Sequence, residues 1–150
     1  MTYEELGNGD QMASMRTGLA FQRTRMAADR TLMAIMRTSL SMIGFGFTIY
    51  TFFTNYLKRD GALGLMPAQA PSRFGLSLIC LGVLLLALGI ANHYRYMKVL
   101  RAELQDFIAR GLMPDTDKFP VSLTLVTAFL LILVGVVAAL SIIFRSGSLG

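Results

Sequence analysis

The chain of 150 residues contains one cysteine, Cys80, and one histidine, His93. A single cysteine excludes a disulfide framework, and one histidine with one cysteine gives too few convergent ligands for a metal site. The pattern also offers no nucleophile paired with a general base, and no glycine-rich phosphate loop after a strand. We therefore expect no metal, no cofactor and no enzyme activity from this chain alone. His93 is interpreted as an aromatic anchor at the end of a membrane span.

Charged residues are also scarce, at 15% of the chain against 54% hydrophobic residues, which is too apolar for an ordinary soluble domain. Three windows, 39–57, 74–96 and 121–144, meet the requirement of about 20 apolar residues for a helix that crosses a membrane. The sequence therefore predicts an all-α membrane protein with one domain over residues 12–145. Residues 1–11 and 146–150 are expected to be flexible, and the polar start predicts no cleaved signal peptide.

Proline is absent before Pro67, and no strong stop signal lies between residues 12 and 57. One helix of about 45 residues is therefore predicted, with a length of about 68 Å. Such a helix crosses the bilayer and projects well beyond it.

The distribution of Lys and Arg predicts the orientation. Five lie before the first span and five between the second and third spans, whereas four lie on the other side. The side with more positive charge is the cytoplasmic side. We therefore expect the N-terminus inside the cell and the C-terminus outside.

Arg-Thr pairs recur at every seventh residue before and into the first span. They are Arg16-Thr17, Arg23-Thr24, Arg30-Thr31 and Arg37-Thr38. Met or Leu (residues 12, 19, 26, 33 and 40) and Ala or Ser (residues 13, 20, 27, 34 and 41) keep the same period. On a helix, a step of seven residues returns to within about 20°, so each residue type forms a stripe. The remaining positions vary freely, and only the repeated face is suited to a repeated partner.

If several copies of this helix surround an axis, each arginine position becomes a ring of positive charge, and the rings follow one another at about 10 Å. Guanidinium groups match phosphate oxygens, and the hydroxyls of Thr31 and Thr38 could donate to the same phosphate. Asp29 could hold a guanidinium in place by pairing with Arg25 or with an arginine of a neighbouring subunit. In the alternative interpretation, the arginines are solvated or bind anionic lipid headgroups.

Residues 28–40 read A-D-R-T-L-M-A-I-M-R-T-S-L and resemble the hallmark of the DUF202 family of three-span membrane proteins, approximately N-E-R-T-x-L-A-x-x-R-T. Bacterial members of the YidH type are largely uncharacterised, and the resemblance implies a bacterial cytoplasmic membrane. Eukaryotic relatives include the small membrane subunit of the vacuolar transporter chaperone complex. In that complex, the domain forms a ring of subunits through which polyphosphate passes.

The resemblance implies roles for particular residues. Arg30 would be the arginine of the motif, Arg23 the basic residue one heptad earlier, Asp29 its acidic neighbour, and Lys118 the basic residue before the last span. The segment His93-Tyr94-Arg95 resembles the end of the second span in those relatives, which implies a supporting role for Arg95. The chain departs from the motif in Asp29 for Glu and Ala28 for Asn, and the Arg-Thr repeat extends two heptads further upstream.

Three functional hypotheses follow. The first is a homo-oligomer, a pentamer by the resemblance, whose arginines (Arg16, Arg23, Arg30 and Arg37, with Lys118) form a funnel that binds or conducts phosphate-rich polyanions such as polyphosphate. The second is a scaffold that organises anionic lipids through the same arginines. The third is an accessory subunit that docks a cytoplasmic partner protein through the projecting helix.

Overall fold

The computed structural model describes residues 7–60, 70–112 and 123–147, and its side chains over 7–55, 73–112 and 123–144. These residues form three helices: α1 (Asn8–Asp60), α2 (Ala70–Ala109) and α3 (Leu123–Gly147). The described ranges contain no strand, and each helix is long and apolar enough to cross a membrane. The prediction of an all-α protein with three spanning helices and a long first helix is therefore confirmed. Residues 8–11 and 146–147, expected to be flexible, are helical.

The ends of the long helices follow from local chemistry. The carbonyl of Gly7 accepts hydrogen bonds from the amides of Asp10 and Gln11, which satisfies two donors of the first turn of α1. The carboxylate of Asp10 also lies where the helix dipole favours negative charge. At the same end of the fold, α2 stops at a Schellman motif, in which Gly111 has a φ of 73°. The amide of Leu112 donates to the carbonyl of Phe107 there, at 3.1 Å.

Glycines bring α1 and α2 into close antiparallel contact. A Cβ added to Gly46 would lie 2.6 Å from the carbonyl oxygen of Gly75, and a Cβ on Gly75 would lie 2.7 Å from that of Gly46. Further along, Gly82 faces the carbonyl of Ser39 and Gly89 faces Ile35. The glycines of α2 are thus spaced by seven residues along the face that meets α1. Small residues at such a crossing let two backbones approach, which is how helices associate within lipid.

The third helix packs across the pair formed by α1 and α2, and makes fewer contacts with each than they make with one another. A Cβ on Gly135 would touch Val83 of α2 and Ile43 of α1. Two apolar clusters form the interior: Leu32, Leu86, Ile90 and Ala128 in one, and Ile43, Tyr50, Ile79 and Ile142 in the other. The contacts show that α3 runs parallel to α1 and begins near residue 25 of α1.

The outer surface of the bundle is rich in large apolar side chains. Phe45, Leu84, Leu133 and Phe144 are each more than half exposed. Exposure of this kind is unfavourable in water and suits the hydrocarbon of a bilayer. Beyond the start of α3, α1 and α2 continue as an antiparallel pair, which we call the projecting end. The rings of Phe21 and Phe107 meet there edge to face, with centroids 5.8 Å apart.

Candidate functional site

The arginine row, Arg16, Arg23, Arg30 and Arg37, lies on the side of α1 that faces away from α2 and α3. All four side chains are exposed, as are the repeated Met/Leu and Ala/Ser stripes beside them. The buried residues of α1, such as Leu32, Ser39 and Ile43, occupy the variable positions of the heptad. On a helical projection, the arginine row lies about 140° to 200° from the centre of this buried stripe. The repeated face therefore takes no part in packing among the described residues of the subunit.

The packing register determines how deep the arginines lie in the bundle. Because Ile35 meets Gly89 and Ser39 meets Gly82, Arg37 lies at a level between those two glycines of α2. Residues 74–92 of α2 include no Asp, Glu, Lys, Arg or His. Arg37 is therefore about 10 Å inside the uncharged part of α2, by helix rise. The sequence puts Arg37 at the head of the first span, whereas the packing register puts it level with the uncharged stretch of α2, on the outer side of α1.

The other arginines lie progressively closer to the projecting end. Asp29 contacts His93, so that Arg30 lies near the inner limit of the uncharged stretch of α2. Arg23 and Arg16 follow at intervals of about 10 Å. In the described ranges, the carboxylates of Asp29 and Asp106 contact His93 and Arg110 and not an arginine of the row. The row thus carries positive charge over about 31 Å of helix.

The threonines of the repeat use their hydroxyls inside the helix. Thr31 donates to the carbonyl of Ala27 and Thr38 to that of Ala34, each at 3.1 Å. The repeat itself explains these bonds, because Ala and Thr of one heptad are four residues apart. Their single hydroxyl protons are therefore engaged by the backbone. The donation of Thr31 and Thr38 to a phosphate beside the arginines stays a prediction, which requires these hydroxyls to leave their backbone acceptors.

The carboxylate of Asp29 points toward α2 and not along the arginine row. Its Oδ1 lies 3.6 Å from Nε2 of His93, whose side chain is 4% exposed. On the projection of α1, Asp29 lies about 100° from Arg30. Asp29 thus contacts α2 within its own subunit. Its pairing with Arg25 or with an arginine of a neighbouring subunit stays a prediction. His93 is buried between α1 and α2, which corrects its interpretation as an anchor at the membrane interface.

One family model matches the chain, the domain of unknown function DUF202, over residues 23–102. This is more than half of the chain. The chain belongs to the DUF202 family. No curated protein and no solved structure matches it.

The DUF202 match begins at Arg23 and ends in the projecting part of α2, so it contains Arg30, Arg37 and the contact between Asp29 and His93. Arg16 lies outside the matched residues. With three apolar helices, this DUF202 protein is a multi-pass membrane protein.

Arg95 and Lys118 do not join the arginine row in the described subunit. Arg95 is exposed on α2, about 180° from His93 and Met97, the residues that face the bundle interior. It therefore points away from both α1 and α3. Lys118 lies outside the described residues. Its proposed contact with a polyanion stays a prediction.

The sequence did not reveal the groove that runs beside the repeat between α1 and α2. A cavity of about 360 Å³ is bounded by Thr24 and Thr31 of α1 and by Asn92, His93 and Tyr96 of α2. Its polar lining depends on the pairing of residue 29 with residue 93, which no local motif specifies. In the described ranges, no three His, Cys, Asp or Glu side chains converge as a metal site would require.

Proposed function

We propose that this DUF202 protein is a homo-oligomeric ring in which α1 lines a central axis and the arginine row binds or conducts phosphate-rich polyanions such as polyphosphate. The proposal rests above all on the position of Arg37. It is exposed on α1, faces away from the other helices of its own subunit, and lies at the depth of uncharged parts of α2 and α3.

Arginine in this position cannot rest against hydrocarbon without penalty. An arginine at the centre of a spanning helix is unfavourable by about 2.5–3.5 kcal/mol on insertion scales, and such residues face a bundle interior, a water-filled cavity or a partner charge. The subunit supplies none of these around Arg37 in its described part. Additional copies would supply a water-filled lumen, with the buried face of α1 turned outward toward α2 and α3.

A lumen of this kind suits a linear polyanion. Guanidinium groups would form rings at intervals of about 10 Å along α1. At each ring, the N–H groups of the arginines could donate to the oxygens of a phosphate in the polyanion. By the resemblance noted above, the ring is a pentamer in a bacterial cytoplasmic membrane, with the projecting end and the N-terminus in the cytoplasm and the C-terminus outside. The chain acts without enzyme activity of its own, and its projecting end is available to a cytoplasmic partner protein.

The alternative function, a scaffold whose arginines hold anionic headgroups, fits Arg16 and Arg23 better than Arg37. Arginines near the end of a span snorkel toward headgroups. Arg37 lies about 10 Å inside the uncharged stretch of α2, too deep for this behaviour without local thinning of the bilayer. The depth of Arg37 therefore favours the polyanion funnel over the lipid scaffold.

Native mass spectrometry of the protein released from lipid nanodiscs, with and without short-chain polyphosphate, tests the proposal. We expect a defined oligomer that takes up one polyanion per ring. Arg23→Ala with Arg30→Ala should reduce uptake at least about tenfold, since two charge-assisted contacts per subunit are lost. Arg30→Lys keeps the charge and should retain part of the binding.

Arg110→Ala is the matched control, because Arg110 is an exposed residue directly after α2 and pairs with Asp106 at 2.7 Å. Its uptake should equal that of the wild type. A monomer, or an oligomer that retains anionic lipid and ignores polyphosphate, would reject the funnel in favour of the lipid scaffold.

A further inference from the structure

A second group of cations lines a cleft between α1, α2 and the start of α3. The cleft encloses about 530 Å³. Arg25 contributes from α1, Lys98 and Arg101 from α2, and Leu125 and Phe129 form an apolar wall on α3. Among the described residues that line it, none is a carboxylate. The cleft thus combines three positive charges with an apolar surface.

This cleft is separate from the arginine row. On the projection of α1, Arg25 lies about 20° from the centre of the buried stripe and about 140° from Arg30. Lys98 and Arg101 are three residues apart on α2, so they lie on the same side of that helix. The axis proposed for α1 therefore cannot be reached by these three cations. They converge on the outer side of the subunit instead.

One wall of the cleft is a buried polar side chain. His93 lines it, and its Nε2 has no hydrogen-bond partner, with the carboxylate of Asp29 at 3.6 Å. A buried polar atom without a partner is unusual and disfavours an apolar occupant. Asp29 contacts this histidine from α1 and so orients a polar surface at the base of the cleft.

The cleft lies at the level where the uncharged parts of the helices end. Leu125 is the third residue of α3, and Lys98 follows the uncharged stretch 74–92 of α2 by six residues. Charged and apolar lining therefore meet at the expected boundary between headgroups and hydrocarbon. Basic pockets between spanning helices at this level are suited to phospholipid headgroups, with acyl chains along the apolar wall.

We propose that this cleft binds the phosphate headgroup of one anionic phospholipid per subunit, with Lys98 and Arg101 at the phosphate and an acyl chain along Phe129. The apolar wall favours a lipid over free phosphate, because free phosphate has no apolar part that could contact the wall. The site is independent of the polyanion funnel. One can therefore be lost while the other persists.

The test is native mass spectrometry of the full chain from phosphatidylcholine nanodiscs that contain a graded fraction of phosphatidylglycerol. The wild type should retain one phosphatidylglycerol per subunit through a collision energy that removes phosphatidylcholine. Lys98→Ala with Arg101→Ala should lower the retained fraction at least about fivefold, given the strength of charge-assisted contacts. Both side chains are exposed, so that folding is preserved. Arg95→Ala, which removes an exposed charge of the same helix outside the cleft, should retain the lipid.

Two results would overturn this site. Retention could be equal in the wild type and the Lys98/Arg101 variant, or Arg95→Ala could lose as much lipid as that variant does. A separate arm uses nanodiscs of phosphatidylcholine alone with inorganic phosphate or short-chain polyphosphate. Binding there that depends on Lys98 and Arg101 would replace the lipid with a free phosphate. Uptake of polyphosphate that depends only on Arg23 and Arg30 leaves the lipid site intact.

Discussion

The two faces of α1 differ in regularity as well as in exposure. The face toward α2 and α3 is irregular in sequence, with Ser14, Leu32 and Tyr50 among its buried residues. The outward face repeats Met/Leu, Ala and Arg every seven residues and is exposed throughout. Packing inside one subunit requires side chains that fit particular neighbours, and so it uses different residues at each level. A regular face fits surroundings that are themselves regular, such as a symmetry axis.

The irregular face should be the more sensitive of the two to added volume. Gly46→Ala would place a Cβ 2.6 Å from the carbonyl oxygen of Gly75, and backbone cannot move aside as a side chain can. We expect the free energy of unfolding to fall by about 2 kcal/mol or more, since overpacking typically destabilises by about 1–3 kcal/mol. Unfolding in dodecyl sulfate titrations of the detergent-solubilised protein measures this change.

Gly44→Ala makes the same substitution two residues away on the outward side, where a Cβ would meet nothing within 4 Å. Its unfolding midpoint should match that of the wild type. Equal destabilisation at Gly44 would mean that the outward face is itself tightly packed in the assembly, and the contrast between the two faces would disappear.

The three spanning helices could be predicted because long apolar runs and the absence of proline are local signals. The pairing of α1 with α2 could not be predicted in the same way. It depends on Gly75, Gly82 and Gly89 meeting Gly46, Ser39 and Ile35, and each glycine alone fits many registers. Without that register, Arg37 is assigned to a membrane edge by its sequence position and not to the depth of Gly82.

The two faces can also be compared for access to water. Ser41 lies on the outward face of α1, and Cys80 lies exposed on α2, at nearly the same depth because Gly82 meets both Ser39 and Met42. On the projection of α2, Cys80 lies about 180° from the side that meets α1. Ser41→Cys in a Cys80→Ser background should react with a charged, water-soluble methanethiosulfonate at least about tenfold faster than the native Cys80, since the thiolate forms in water and not in hydrocarbon.

The measurement is the rate at which the thiol forms a mixed disulfide with the reagent and releases methanesulfinate, followed in nanodiscs by intact mass. Slow reaction at both positions would place Ser41 against lipid or a neighbouring helix and would reject a water-filled lumen along α1. Fast reaction at both would mean that water reaches the outer surface of α2, which conflicts with a lipid-facing surface there. Protection of the Ser41→Cys thiol by polyphosphate would localise the polyanion to the outward face of α1.

The arginine row could be predicted from its period, because a step of seven residues fixes the relative directions of side chains on any helix. The partners of the neighbouring residues could not. Asp29 and His93 are 64 positions apart and meet only through the antiparallel register. The place of Thr31 and Thr38 beside arginine predicts donation to phosphate, whereas the structure shows that the carbonyl of the Ala four residues earlier accepts from each hydroxyl.

The smallest expected effect concerns those hydroxyls. Thr31→Val with Thr38→Val removes both while keeping β-branched shape, and the only hydrogen bonds lost are the internal ones to Ala27 and Ala34. We expect the Kd for short-chain polyphosphate to change by less than about twofold.

If each hydroxyl donated to a phosphate instead, the loss of a charge-assisted bond of about 1.5 kcal/mol would weaken binding more than about tenfold per site. The same titration of wild type and double variant measures this, with Arg30→Ala as the variant expected to lose binding. A large loss on removing the hydroxyls would mean that these threonines rotate outward when a polyanion is bound, and that the outward face binds through the whole Arg-Thr pair and not through arginine alone.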